Sequence, residues 1–305
     1  MRDLISIIVP CFNEEEALPA FFEELEKERR KLPCDSEVIF VDDGSVDKTP
    51  GIIREIAEKS GGVRYVLLSR NFGKEGAMAA GLGEATGDYA VVMDADMQHP
   101  PEYIGVMYEK IKNGEDGKQF DSVAMYRTGR KGERRIRSFF AKCMMKRFCK
   151  MSGVDIPPGA TDYRMVSRRM LECYLQLSES NRFSKGLFNW IGFDTKWLPY
   201  ENVPRIAGKT KWSFSGLAGY GVEAMLSFSD KPLKYAAVLG GISCTLALIF
   251  AIYVIIKTLI WGDPVAGFPS LFCMILFMGG SILLFLGLIG RYISKIYMET
   301  KRRPL

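Results

Sequence analysis

The sequence predicts an α/β domain built on a mostly parallel, Rossmann-like sheet, followed by a strongly apolar C-terminal region. Two observations support this division. In the first part of the chain, short apolar and β-branched runs alternate with helix-length segments, which is the pattern of a parallel sheet with crossover helices. From Pro232 onward the 305-residue chain becomes strongly apolar, although its average composition is that of an ordinary soluble protein.

The strands are predicted at residues 4–10, 37–41, 63–69, 88–93 and 122–126. Helices are expected between them. The first is expected to be capped by Asn13, and the second to start at Asp47 or Thr49, because these residue types are favoured at helix starts. The third is expected to begin at Lys74. Gly44 permits a tight turn after the second strand.

The segment Asp94-Ala95-Asp96-Met97-Gln98 follows the fourth predicted strand. Alternate residues of an extended segment point the same way, so Asp94, Asp96 and Gln98 are expected to converge. Oxygen ligands suit Mg²⁺ or Mn²⁺, which bind one or two carboxylates together with the phosphates of a substrate. Taken alone, the triplet fits a solvated acidic turn better. The single histidine, His99, is expected to pack this loop.

Further acidic residues follow the first and second strands, at Glu14, Asp42 and Asp43. The carboxyl ends of parallel strands meet at one edge of the sheet, where open α/β sheets bind their ligands. Several carboxylates at one edge repel one another unless a cation or a ligand with hydrogen-bond donors joins them. The sequence therefore predicts a metal and a donor-rich substrate there. It contains neither a Walker lysine motif nor a dinucleotide-binding glycine motif after a strand.

Three segments in order, residues 9–14 (VPCFNE), 41–45 (VDDGS) and 94–102 (DADMQHPPE), resemble glycosyltransferase family 2, and within it the polyprenyl-phosphate sugar transferases. The resemblance implies an A-type glycosyltransferase fold and a nucleotide-sugar donor with Mg²⁺ or Mn²⁺ on its diphosphate. Phe12 stands where the family more often has Tyr, so a ring face is kept and a hydroxyl is lost. The implied nucleotide-binding residues are Pro10, Phe12, Glu14, Asp42, Asp43 and Asp94, and the implied metal ligands are Asp94, Asp96 and Gln98.

A basic segment covers residues 127–150, with ten Lys or Arg residues against one acid. Apolar residues are interleaved at near-helical spacing, which predicts a basic amphipathic helix on an anionic membrane surface. A solvated face packed on the domain is an alternative, and nucleic-acid binding is a weaker one because the nearby apolar region would hold the segment against lipid. The resemblance implies that Arg127, Arg134 and Ser138 contact the phosphate of the acceptor, the last two being one helical turn apart.

Residues 160–164 (ATDYR) precede a predicted helix ending near residue 177, so Asp162 fits a helix N-cap. The resemblance implies instead a catalytic carboxylate at Asp162, alongside Asp96 and Arg205. A phosphate monoester has a second pKa of about 6 and needs no strong base, so Asp162 is expected to orient the acceptor or to stabilise the site electrostatically. Arg205 and Lys211 lie in a loop that resembles one of the family, which implies that Arg205 neutralises charge on the leaving diphosphate and that Lys211 acts there or at the acceptor phosphate. A basic loop at a membrane surface is the alternative for Lys211.

Residues 235–256 and 267–290 contain no charged side chain. Each is long enough to cross a hydrocarbon core of ~30 Å. The expected organisation is a catalytic domain over residues 1–210, an interfacial helix over 211–232, and a transmembrane hairpin with a basic tail over 233–305. Lysines before the first span and basic residues after the second place the catalytic domain and both termini in the cytoplasm, at the bacterial inner membrane.

These features and the resemblance together predict a metal-dependent glycosyltransferase; the resemblance implies inversion and a uridine nucleotide. It is expected to move a single sugar, in the first place glucose from UDP-glucose, to undecaprenyl phosphate. The alternatives are another donor such as UDP-N-acetylglucosamine or GDP-mannose, a processive polysaccharide synthase, and a non-catalytic membrane scaffold that binds nucleotide sugars. No nucleic-acid partner is expected, and a homo-oligomer is left open.

Overall fold

The computed structural model describes residues 2–128, 145–179, 182–201, 228, 231–261 and 267–301. The chain divides into two compact units, one extending to Ala224 and also including the last two residues, and the other covering Met225–Arg303. The first unit is an α/β domain. The described part of the second unit consists mainly of two long helices, Lys231–Trp261 and Phe268–Thr300.

The strands and helices of the first half lie close to their predicted positions, and two further strands follow them. The elements of the first unit are β1 (Leu4–Cys11), α1 (Leu18–Arg29), β2 (Asp35–Asp42), α2 (Thr49–Lys59), β3 (Val63–Leu67), α3 (Lys74–Gly83), β4 (Tyr89–Val92), α4 (Tyr103–Asn113), β5 (Ser122–Arg127), α5 (helical residues 145–152), β6 (Ala160–Ser167), α6 (Arg168–Leu175), α7 (Ser184–Trp190) and β7 (Thr195–Tyr200).

The seven strands form one sheet in the order β3-β2-β1-β4-β6-β5-β7. All neighbouring pairs are parallel except those made by β6, which is antiparallel to both β4 and β5. The mostly parallel sheet is therefore confirmed. In the β4–β6 pair, Val92 lies opposite Arg164. Because β6 runs against its neighbours, its first residues lie at the edge where β1, β2 and β4 end.

The sheet is buried on both faces, as the continuous apolar runs of β1 and β2 require. On one face, Ile7 and Phe40 pack in a core with Phe21 of α1. On the other face, α3 approaches so closely that a Cβ at Gly81 would lie 2.5 Å from the Ile8 side chain. This close packing fixes the start of α3 relative to the ends of the strands.

Two predicted helix caps are wrong. Helix α1 begins at Leu18 after Ala17, and Asn13 instead adopts a φ of 50° and accepts a hydrogen bond from the N–H of Val46. Asp162 is not an N-cap, because it lies inside β6. The cap of α6 is Ser167, whose hydroxyl accepts from the N–H of Met170 at 3.3 Å. A strand at 160–167 is stabilised mainly by its two partner strands, which a local pattern does not show.

The two long helices of the second unit coincide in position with the predicted spans. Within the described residues, one segment, Phe277–Thr300, meets the length and composition expected of a membrane-crossing helix. Phe277 and Leu283 on this segment are exposed. The two-helix hairpin therefore stays a prediction. Most of the predicted basic helix, residues 129–144, and nearly all of the predicted interfacial helix lie outside the described residues.

Candidate active site

Three strands bring the predicted nucleotide-binding residues to one edge of the sheet. In the register of β1, Cys11 lies opposite Asp42 of β2, and Ile8 lies opposite Val92 of β4. The backbone N–H of Asp43 also donates to the carbonyl of Cys11 at 2.8 Å, which extends the pairing past the strand ends. The residues gathered at this edge are Pro10, Phe12, Glu14, Asp42, Asp43, Asp94 and Asp96.

The loops after β1 and β2 are interlocked by hydrogen bonds. The N–H of Asn13 donates to the hydroxyl of Ser45 at 2.8 Å, and the N–H of Val46 donates back to Oδ1 of Asn13 at 3.0 Å. The N–H of Glu14 donates to the hydroxyl of Thr49 at 2.9 Å. Pairing in both directions holds the two loops as one wall of the site, with Glu14 half-buried in it.

The two aspartates at the end of β2 have different surroundings. The buried carboxylate of Asp43 accepts the N–H groups of Phe72 at 2.7 Å and Gly73 at 3.0 Å. Burial raises the pKa of Asp43, and these two hydrogen bonds offset only part of that rise. Asp42 accepts the N–H of Ser45 through Oδ2, whereas its buried Oδ1 has no hydrogen-bond partner in the part of the chain that the structure describes. Asp43 thus organises the loop before α3, and Asp42 keeps an unused acceptor.

Lys74, the first residue of α3, joins two of the predicted site carboxylates. Its Nζ lies 2.6 Å from Oδ1 and 2.8 Å from Oδ2 of Asp94, and 3.1 Å from Oδ2 of Asp162. Partial desolvation of the ammonium lowers the pKa of Lys74, but the two carboxylates outweigh this effect and raise that pKa well above its usual value. Asp162 also lies 3.8 Å from Nζ of Lys185.

Asp94 and Asp162 lie close together, because each is two residues beyond the Val92–Arg164 pair and both contact Nζ of Lys74. Burial raises the pKa of both carboxyl groups. For Asp162 the charges of Lys185 and Lys74 outweigh burial, and for Asp94 the charge of Lys74 does so, so both stay ionised. The other oxygen of Asp162, Oδ1, is buried and has no hydrogen-bond partner among the described residues.

The segment after β4 turns immediately, so the predicted alternation of Asp94, Asp96 and Gln98 along an extended chain is wrong. Strand β4 ends at Val92, and Met97 has a φ of 62°. Asp96 is buried and accepts the N–H of Gln98 at 3.0 Å. The side-chain oxygen of Gln98 accepts a hydrogen bond from the guanidinium of Arg127 at 3.1 Å. Gln98 thus braces the turn, and the metal-ligand assignment of the three residues stays a prediction.

Aromatic rings support this turn. His99 is buried, stacks on Tyr163 at a centroid distance of 4.9 Å, and accepts the N–H of Asp94 at its Nδ1. Burial lowers the pKa of His99 to about 4, so the ring is neutral and can accept this bond. The hydroxyl of Tyr163 donates to the carbonyl of Pro100 at 2.7 Å. The packing role expected for His99 is confirmed.

Of the predicted acceptor-phosphate residues, the structure describes Arg127. It ends β5, and its guanidinium bridges Gln98 and the hydroxyl of Tyr200. The remaining predicted site residues, Arg134, Ser138, Arg205 and Lys211, lie outside the described residues.

Neither lysine of the site is among the predicted site residues. Lys74 carries the same sequence signal as the aspartates, because it follows the third strand and its loop at the same edge of the sheet. Lys185 lies near the start of α7, a short helix with no strand-end signal before it.

The residues at this edge suit a metal shared with a substrate. Within the described residues, no group of three or more His, Cys, Asp or Glu side chains is placed to hold a metal by itself. The carboxylates of Asp94 and Asp96 are hard ligands, and Mg²⁺ or Mn²⁺ typically completes its coordination with water and substrate phosphates. The donor set thus fits a metal that arrives with a diphosphate.

The similarity to known proteins covers nearly the whole chain. Residues 6–175 match the family model described as glycosyl transferase family 2. The chain is 44% identical to CsbB of Bacillus subtilis (strain 168), which is named as a glycosyltransferase, over 99% of this chain and 90% of that protein. It is 37% identical to the bactoprenol glucosyl transferase of Shigella phage SfV, over 98% of this chain and 96% of that protein.

A solved structure shares the fold. The glucosyl-3-phosphoglycerate synthase from Mycobacterium tuberculosis, in complex with phosphoglyceric acid, aligns with a TM-score of 0.50 and 20% identity. The alignment covers 74% of this chain and 79% of that one. The sheet and its acidic carboxyl edge thus define an α/β enzyme of the A-type glycosyltransferase class. The chain belongs to glycosyl transferase family 2.

Proposed function

We propose that this glycosyltransferase moves one sugar from a nucleotide sugar to a polyprenyl phosphate at the cytoplasmic face of the bacterial inner membrane. The observation that carries the proposal is the similarity to a bactoprenol glucosyl transferase over 98% of the chain, a length that includes both C-terminal helices. On the same basis, UDP-glucose is the proposed donor and undecaprenyl phosphate the proposed acceptor.

The donor binds along the ends of β1, β2 and β4 in this proposal. The interlocked loops after β1 and β2 form the wall for the base and the ribose, with Phe12 offering a ring face. The unused Oδ1 of Asp42 accepts a hydrogen bond from the nucleoside. Asp94 and Asp96, with Gln98 bracing their turn, hold Mg²⁺ or Mn²⁺ against the diphosphate. When bound, the metal offsets the negative charge that develops on the leaving nucleoside diphosphate.

The acceptor binds on the β5–β6 side. Arg127 is proposed to donate to its phosphate, and Arg134 and Lys211 to add charge there. Arg205 is proposed to neutralise the charge that develops on the leaving diphosphate. An oxygen of the acceptor phosphate attacks the anomeric carbon. A new carbon–oxygen bond forms while the bond from that carbon to the diphosphate oxygen breaks, with inversion of configuration at the carbon.

Asp162 is proposed to act as an anion rather than as a base. The lipid phosphate is largely dianionic near neutral pH and carries no proton that must be removed. The lysines around Asp162 hold its pKa below the usual range, so it stays ionised. An ionised carboxylate here stabilises the positive charge that develops at the anomeric carbon.

The proposed membrane arrangement has two spans, within Lys231–Trp261 and Phe268–Thr300. Residues 235–256 and 267–290 of these helices carry no charge, and Lys231 and Lys234 precede the first uncharged stretch. This arrangement keeps the sheet edge on the side where nucleotide sugars are found. Anchoring also raises the effective concentration of a lipid acceptor at the site.

The test is a transfer assay on the purified full-length protein in detergent. It is incubated with undecaprenyl phosphate, Mg²⁺ or Mn²⁺, and one of several labelled nucleotide sugars, and the lipid is then extracted. We expect organic-soluble label with one donor, UDP-glucose, and its loss when the metal is chelated. Asp162→Asn should lower kcat by about 10²–10³-fold, whereas the exposed Asp155→Asn should not.

Two outcomes of this assay contradict the proposal. Label that accumulates in polymer, not in extracted lipid, indicates a processive synthase. A complete absence of lipid-linked product with every donor rules out the proposed reaction.

A further inference from the structure

We infer that Lys74 is a positioning residue that acts as an internal cation. In the free enzyme its ammonium occupies the carboxylate oxygens that a divalent metal needs, and binding of the metal with its nucleotide displaces it from Asp94 while leaving it on Asp162. The inference rests on the proposed function, since it requires a donor that carries a metal on its diphosphate.

The contacts of Lys74 are those of a bridging cation. Its Nζ contacts both oxygens of Asp94, at 2.6 and 2.8 Å, so neither oxygen is left without a positive partner. The same atom lies 3.1 Å from Asp162. The mutual repulsion of the two carboxylates is relieved by the ammonium that contacts both.

A metal and the ammonium compete for the same two oxygens of Asp94. Mg²⁺ binds carboxylate oxygens at about 2.0–2.1 Å, and two positive charges on one carboxylate would repel strongly in a partly buried site. A metal that takes an oxygen of Asp94 must therefore displace Lys74 from that oxygen. Asp162 offers the ammonium a second anion within reach, so the displaced charge does not lose its partner.

The structure allows this displacement to occur in the side chain alone. The backbone before Lys74 is anchored, because the N–H of Gly73 donates to Asp43 and to the side chain of Asn71. The side chain of Lys74 is 40% exposed, so packing does not lock its four-carbon stem. A lysine is a mobile point charge that exchanges partners readily.

This arrangement makes the metal and the nucleotide bind together. A bare metal ion must compete with the ammonium, whereas a metal paired with a diphosphate brings negative charge that attracts the displaced lysine. If Lys74 served only as a structural ion pair, the expected result would differ. In that case, removing Lys74 would weaken the fold and leave the metal affinity unchanged or lower.

The test measures Mn²⁺ binding to the full-length protein without nucleotide, by electron paramagnetic resonance of the free ion. The variants are Lys74→Met, Lys74→Gln and Lys74→Arg. The neutral variants should bind Mn²⁺ at least about ten-fold more tightly than the wild type, because one competing charge is gone. Lys74→Arg should match the wild type. The control is Lys59→Met, which removes an exposed lysine paired with Glu55 at 3.4 Å and should change nothing.

UDP supplies a second measurement. Adding UDP should narrow the difference in Mn²⁺ affinity between the wild type and the neutral variants, since the diphosphate helps to displace Lys74. Equal or weaker Mn²⁺ binding by a folded Lys74→Gln protein overturns the inference, and this neutral, polar variant decides the question if Lys74→Met does not fold.

The transfer assay on the same preparations separates the two proposals. Lipid-linked product from the wild type, together with unchanged Mn²⁺ affinity in the neutral variants, overturns only the role of Lys74. Tighter Mn²⁺ binding in those variants without product from any donor supports the role of Lys74 and overturns the proposed reaction.

Discussion

Arg127 donates a hydrogen bond from its guanidinium to the side-chain oxygen of Gln98 at 3.1 Å. The two residues come from opposite halves of the site. Gln98 belongs to the turn after β4 that carries Asp94 and Asp96, and Arg127 ends β5, on the side proposed for the acceptor. The bond therefore connects the turn proposed to hold the metal with the residue proposed to receive the lipid phosphate.

Replacing Arg127 should weaken acceptor binding. Arg127→Lys keeps the charge but replaces the two guanidinium nitrogens that reach Gln98 and Tyr200 with a single ammonium nitrogen. We expect the KM for the polyprenyl phosphate to rise about ten-fold. Tyr200→Phe, which removes one hydroxyl, should give a smaller rise. The matched control is Arg54→Lys on the exposed face of α2. An unchanged KM for the acceptor in Arg127→Lys contradicts the assignment.

Asp42 and Asp43 should respond differently to the same substitution. Asp43→Asn places an amide against two backbone N–H groups and should lower the free energy of unfolding by about 1–3 kcal/mol. Asp42→Asn disturbs one backbone bond at most, so it should leave thermal stability nearly unchanged while weakening UDP binding. Thermal unfolding and calorimetric titration with UDP separate the two effects. The reverse pattern would assign nucleoside binding to Asp43.

Gly44 should not tolerate a side chain. Its φ is +69°, and a Cβ there would lie 2.5 Å from the backbone carbon of Arg70. Gly44→Ala should therefore lower stability by about 1–3 kcal/mol and shift the loop that leads to Lys74. Gly51→Ala is the matched control, because a Cβ at Gly51 in α2 meets no atom within 4 Å. This second change should raise stability by up to about 1 kcal/mol, and equal effects would contradict the prediction.

Glu37 should make the fold sensitive to acid. Its buried carboxylate accepts from the hydroxyls of Ser6 at 2.6 Å and Thr86 at 2.7 Å, and from Arg64 at 3.3 Å. Burial raises the pKa of Glu37, but these bonds outweigh it and the pKa lies below its usual value. The stabilisation is thus present above the unfolded-state pKa of about 4.3 and is lost as the pH falls through the lower folded-state pKa.

The melting temperature of Glu37→Gln should therefore fall less than that of the wild type between neutral and strongly acidic pH. At neutral pH the variant should be less stable than the wild type, and the two should converge in acid. Glu55→Gln, at an exposed position on α2, is the control and should follow the wild type. Parallel pH profiles for the wild type and Glu37→Gln would show that another group dominates the acid response.

Strand ends were the most informative part of the sequence. The apolar runs of β1, β2 and β4 and the acids behind them could be read directly, because burial on both faces leaves a continuous pattern. The strand that carries Asp162 could not be predicted from the sequence. β6 mixes polar and apolar residues without regular alternation over only eight positions, and it is held by partners that lie about 70 and 40 residues earlier in the chain.

The hydrogen-bond partners of the site side chains could not be predicted from the sequence either. The sequence predicts that carboxylates gather at one edge. It does not show that the carboxylate of Asp43 accepts a hydrogen bond from the backbone of Phe72, or that Gln98 accepts one from Arg127. Both assignments depend on where a loop turns, and the turn at Met97 follows from a left-handed backbone conformation in a residue that rarely adopts it.

The position of β6 also determines the order in which the domain can be assembled during synthesis. β5 has left the ribosome before β6, yet it can reach the sheet only through β6, and β7 in turn attaches only to β5. Before residue 160 is made, β1 to β4 can pair with one another while β5 still lacks its partner strands. Asp162 joins Asp94 only when β6, a single eight-residue strand, pairs with β4.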